Sequence, residues 1–144
     1  MRKLAVDVGQ SRIGLAISEG SLVLPLEVIP AGETAATQVL ELARDRGVDA
    51  IYVGLPLSLN GSFTSSTTNS IDFAKRLGAD FEVRLIDERL TTKTAQSRLR
   101  EGGKSSKQSR GIVDAQAAAL ILEFAIQSER DGKLAGKTIG ELDD

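Results

Sequence analysis

The first thirty residues hold three β-prone runs with almost no chain between them. Lys3 to Val8 is short and apolar, Arg12 to Ser18 follows a Gly-containing turn, and Leu22 to Ile29 is the third. Parallel strands need a crossover of about a dozen residues, so connections this short predict an antiparallel meander. The pattern then changes. Glu33 to Arg46 places Ala36, Val39, Leu40 and Ala43 at helical spacing, and Gly47 is a natural stop. Ala50 to Val53 reads as a buried strand ended by Gly54-Leu55-Pro56. Ser58 to Asn69 is a Ser/Thr/Asn-rich loop whose later part can already be helical, and Ile71, Ala74 and Leu77 continue a helix to Gly78. Phe81 to Ile86 is a further strand. Thr92 to Glu101 reads as a helix and Gly102 to Ser109 as a Gly/Ser/Lys loop. Ile112 to Gln127 is a strongly apolar helix, with Ile112, Ala115, Ala119, Leu122 and Ile126 in one stripe. A meander followed by crossovers predicts an α/β fold. Its mixed five-stranded sheet has three antiparallel strands, then two parallel ones, with helices on both faces. Residues 1–130 read as one domain and 131–144 as a loose polar C-terminal tail.

Composition narrows the chemistry. The 144 residues include no His, no Cys and no Trp. That removes Ser-His-Asp and Cys-His nucleophiles, Cys/His zinc sites, disulfides and imidazole acid-base work. An enzyme built from this chain must use carboxylates, Lys, Arg, hydroxyls, backbone groups or a hard metal held by oxygen. Asp7 comes too early for a signal peptide, and no run of 18 apolar residues exists. A cytoplasmic protein without a membrane partner is expected.

Three positions put acids where stability alone would not. Asp7 ends the apolar first strand, Asp87 and Glu88 follow the strand Phe81 to Ile86, and Asp114 lies one turn before Ala118 in an apolar helix. If the strands carrying Asp7 and Asp87 lie side by side, their ends project together, where open α/β sheets bind ligands. The start of the last helix can bring Asp114 there. Clustered carboxylates repel unless a cation neutralises them, and oxygen-only ligands point to Mg²⁺ or Mn²⁺, which activates water beside a phosphodiester. Each acid has an ordinary alternative: Asp7 capping a turn, Asp87 and Glu88 pairing with Arg84 or Arg89, Asp114 complementing a helix dipole.

The net charge of −2 hides an asymmetry, because Arg84 to Arg110 holds eight basic and three acidic residues. Lys104, Lys107 and Arg110 lie in this stretch. It reads as a phosphate-binding edge or as a solvated surface. Gly9 and Gly14 allow close backbone approach to a phosphate, and Arg12 between them can reach phosphate or an acid, as can Arg89. Gly54, Pro56 and Asn60 mark a sharp strand exit that can line the same cleft.

Together these motifs resemble the YqgF/RuvX family, described both as Holliday junction resolvases and as pre-16S rRNA nucleases. Asp7-Val8-Gly9-Gln10-Ser11-Arg12-Ile13-Gly14 resembles its opening motif, and Val53-Gly54-Leu55-Pro56-Leu57 with Asn60-Gly61-Ser62 its second. Asp87-Glu88-Arg89-Leu90-Thr91-Thr92 resembles the third and Asp114-Ala115 with Ala117-Ala118 the fourth. Phe63-Thr64-Ser65 departs from the usual acidic turn. The resemblance implies an RNase H-like fold and divalent-metal phosphodiester cleavage. Asp7, Asp87 or Glu88, and Asp114 would be the metal ligands, with Arg12 and Arg89 contacting phosphate or ordering the acids.

The leading expectation is therefore a nuclease acting on structured RNA in 5′-end maturation of 16S rRNA, with ribosomal particles as possible partners and a monomer or weak homodimer as the state. A resolvase of branched four-way DNA is the alternative. A non-catalytic RNA-binding protein and an ATP-binding module are further ones. With 3% aromatic residues, base stacking is a poor main binding mode.

Overall fold

A computed structural model describes residues 2–91 and 106–142, with the backbone alone for 106–115. The strands are β1 (Arg2–Val8), β2 (Arg12–Glu19), β3 (Leu22–Pro30), β4 (Val48–Leu55) and β5 (Glu82–Asp87). The helices are α1 (Ala35–Asp45), α2 (Ser65–Leu77), α3 (Ser106–Arg130) and the short α4 (Ile139–Leu142). Sheet order is β3-β2-β1-β4-β5, with β1 antiparallel to β2 and parallel to β4, and β4 parallel to β5. The meander and the two crossover strands stand as expected. One detail differs: β4 lies between the strands that carry Asp7 and Asp87, so those two are not neighbours.

Alternation along the strands builds two cores. Leu4 and Val6 of β1, Ile51, Val53 and Leu55 of β4, and Val83 and Leu85 of β5 pack on α1 and α2. Ala5 of β1, Ala16 of β2, Tyr52 of β4 and Ile86 of β5 face α3, meeting Ala118, Ile121, Leu122 and Ala125. Ala5 and Ala16 are cross-strand partners. Small residues on both sides let the helix axis approach the sheet closely.

One boundary left open by the sequence is fixed by the structure, and two others differ from the sequence reading. The Ser/Thr-rich segment becomes helical at Ser65, because Thr64 and Thr67 form a reciprocal capping box: Thr64 N donates to Thr67 Oγ1 at 2.9 Å and Thr67 N to Thr64 Oγ1 at 3.3 Å. The last long helix starts at Ser106 instead of Ile112. Residues 131–142 of the polar tail do not run loose. Gly132 turns the chain at a φ of 79°, Ala135 is buried in the second core, and Lys137 pairs with Leu85 on the open edge of β5. Buried Arg84 donates from Nε to Ala135 O at 2.5 Å and from Nη2 to Gly136 O at 2.8 Å. A basic residue counted toward a phosphate-binding edge is thus spent on unpaired carbonyls of this strap. The helix expected over Thr92 to Glu101, and Lys104, lie outside the described residues.

Candidate active site

Strand phase decides which acids meet. Asp7 follows Ala5 at a two-residue step on the α3 face, Gly54 follows Tyr52, and Glu88 follows Ile86. Asp87 is in phase with Leu85, which faces α1 and α2. The carboxylate of Glu88 accordingly reaches across β4 and hydrogen-bonds Asp7. It does so over Gly54. A Cβ there would stand 2.5 Å from Glu88 Oε1 and 2.8 Å from Ile121 Cδ1. On the other side of Asp7, β2 places Gly14 directly opposite it. Asp7 is therefore bordered on both neighbouring strands by residues without side chains.

Both acids are half-buried. Burial, then the hydrogen bond and charge of Asp7, then the charge of Asp87, push Glu88 up to about 9. Near neutral pH Glu88 therefore keeps its proton in the metal-free protein. At that pH a cation joining the pair would let two like charges held this close ionise together. The donor set is two carboxylates with no nitrogen or sulfur, which suits a hard divalent cation. Among the described residues no third carboxylate joins the pair in a metal-holding cluster.

Asp87 does different work. Its Oδ1 accepts from Arg89 N at 2.9 Å, capping the single 3₁₀ turn Glu88–Leu90. Arg89 Nε lies 3.0 Å from both Asp87 oxygens, and Nη2 lies 2.6 Å from Oδ2. The guanidinium holds Asp87 below the usual carboxylate range despite partial burial. Arg89 Nη1 continues to Leu59 O at 3.3 Å.

The other expected cleft residues fall into two groups. Gly54 and Gly14 border Asp7. Gly9, Pro56 and Asn60 shape the turns: Gly9 N donates to Arg12 O at 2.9 Å, and a Cβ on Gly9 would meet that oxygen at 2.7 Å. Pro56 O accepts from Thr67 Oγ1, and Asn60 Oδ1 accepts from Ser62 N at 3.0 Å. Arg12 is exposed at the start of β2. Asp114, Lys107 and Arg110 lie on the backbone of α3, and their side chains are outside the described residues. Sequence reading missed the place of Gly54 between the two acids.

A family profile described as "RuvX: Holliday junction resolvase" matches residues 1–128. The chain belongs to the RuvX family. A protein of Clavibacter sepedonicus, named as a candidate pre-16S rRNA nuclease, is 42% identical, over 97% of this chain and 89% of its own. One of Leifsonia xyli with the same name is 43% identical, over 89% of this chain and 86% of its own. In fold the chain is similar to Thermus thermophilus RuvC solved with a Holliday junction substrate. The TM-score is 0.59 at 17% identity, covering 94% of this chain and 98% of that one. The fold is RNase H-like, and this RuvX-family chain is a nuclease, a hydrolase of phosphodiester bonds. No helix among the described residues is long and apolar enough to cross a membrane.

Proposed function

We propose that the chain cleaves precursor 16S rRNA during 5′-end maturation, using Mg²⁺ or Mn²⁺ held by Asp7 and Glu88, with Asp114 as a third ligand from α3. The observation that carries this reading is the Asp7–Glu88 pair bridging over Gly54. When bound, the cation supplies charge neutralisation and an activated water for in-line attack. The chain's own contribution is placement. Gly54 leaves the space beside Asp7 that the Glu88 carboxylate fills, Ile121 bounds that space, and Gly14 stands opposite Asp7 on β2; Arg12, Lys104, Lys107 and Arg110 would supply phosphate contacts. Asp87 is not a ligand in this reading. The relatives' common name favours RNA as substrate.

The test is cleavage of a precursor 16S rRNA fragment with Mg²⁺ or Mn²⁺, beside Asp7→Asn and an EDTA control. Cleavage by the wild type alone is expected, and equal activity of the variant or full activity in EDTA would falsify the reading. The family's description and the RuvC likeness in fold favour a second reading, resolution of four-way DNA. A synthetic junction in the same assay decides between them.

A further inference from the structure

We propose that Asp87 and Arg89 form a latch that fixes the hairpin from Leu57 to Phe63 to the exit of β5 and so holds Glu88 over Gly54. This makes both of them positioning residues for the carboxylate pair, and it rests on the metal-site reading above.

The hairpin is hydrogen-bonded within itself. Leu57 and Phe63 are bridged, Ser58 N donates to Ser62 O at 3.1 Å, and Gly61 N to Ser58 O at 2.8 Å. Asn60 Oδ1 closes the tip, accepting from Ser58 Oγ at 2.5 Å and Ser62 N at 3.0 Å. Its first strand continues directly from β4, only three residues beyond Gly54. Its far side is gripped by Arg89. Nη1 donates to Leu59 O at 3.3 Å, and the guanidinium lies 3.3 Å from where a Cβ on Gly61 would stand. Gly61 has a φ of 85°, so glycine there meets a backbone need and a space need together. The same guanidinium is clamped to both Asp87 oxygens, and Asp87 caps the turn that begins with Glu88.

Glu88 is thus flanked in sequence by the two halves of the latch. The strand it must cross is tied through the hairpin to the same guanidinium. The Arg89 and Asp87 side chains are 37% and 25% exposed, so solvent screens part of the charge attraction in this pair. What a fork on a carboxylate supplies is direction, which a lysine cannot reproduce.

Arg89→Lys keeps the charge and loses the fork, and Asp87→Asn keeps an acceptor for the cap and loses the ion pair. Both variants, their combination and the wild type are compared by Mn²⁺ calorimetry, steady-state cleavage and amide hydrogen exchange. In each single variant we expect Mn²⁺ affinity, and kcat at a fixed metal concentration below saturation, to fall about tenfold or more, the loss typical of residues that orient metal ligands. KM for the nucleic acid should stay within about twofold, and the double variant should be no worse than the weaker single one. In the metal-free protein, exchange at Gly61 and Ser62 should speed up about tenfold in Arg89→Lys. Matching unfolding midpoints show that the variants fold. Unchanged Mn²⁺ affinity and exchange in Arg89→Lys overturn the latch. So does a loss confined to KM with a salt dependence reduced by about one phosphate contact, the signature of direct phosphate binding. A wild type that neither binds Mn²⁺ nor cleaves overturns the metal-site reading instead, and the exchange measurement still decides the latch.

Discussion

A Cβ on Gly54 would lie too close to Glu88 Oε1 and Ile121 Cδ1 for either to stay in place. Gly54→Ala must therefore move the carboxylate off Asp7 or push the helix off the sheet. We expect cleavage to fall at least tenfold and stability to fall by about 1–3 kcal/mol, the usual cost of overpacking, read by kinetics and urea unfolding. Glu88 carries a pH signature as well. Its folded value of about 9 lies above its ordinary 4.5, so between those limits the native state holds the extra proton. Stability of the metal-free protein should then fall as pH rises through this window. Glu88→Gln removes that slope. Urea midpoints at pH 5 and pH 9 should converge in the variant and differ in the wild type.

At the scale of elements, the C-terminal strap closes the edge of β5. Gly136 has a φ of 64°, and a Cβ there would collide with the Leu85 carbonyl and Ile86. Gly136→Ala should cost about 1–3 kcal/mol, since it combines backbone strain with a blocked strand pairing. Thr64→Ala should cost about 1 kcal/mol through the lost cap on α2. Thermal or urea unfolding checks both. The strap also shows where sequence reading reaches its limit. A tail with Lys133, Lys137, Glu141 and two terminal acids looks solvated, and only the fold reveals that Arg84 needs the carbonyls of Ala135 and Gly136. The choice between Asp87 and Glu88 is a similar case. Alternation phases Glu88 with Ile86 and Asp7 with Ala5 from sequence alone. Nothing in the sequence says that both phases face the same helix, or that β4 intervenes with a glycine at the crossing point.

At the scale of the molecule, more was legible. Short connections between β1, β2 and β3 dictated antiparallel pairing, and the helical segments before β4 and β5 dictated the parallel half. The absence of His and Cys directed attention to carboxylates, and two of those singled out meet at the carboxyl ends of the strands. The central claim is that Asp7 and Glu88, and not Asp87, form the metal-holding pair of this nuclease. Single-turnover cleavage of a precursor 16S rRNA fragment by the wild type, Glu88→Gln and Asp87→Asn tests it most directly. Glu88→Gln should lose on the order of a thousandfold at any Mg²⁺ concentration, about 4 kcal/mol in the barrier. Asp87→Asn should be impaired more mildly and recover as Mg²⁺ is raised. Cleavage by Glu88→Gln at the wild-type rate, or an Asp87→Asn enzyme as dead as Glu88→Gln at saturating Mg²⁺, would contradict it.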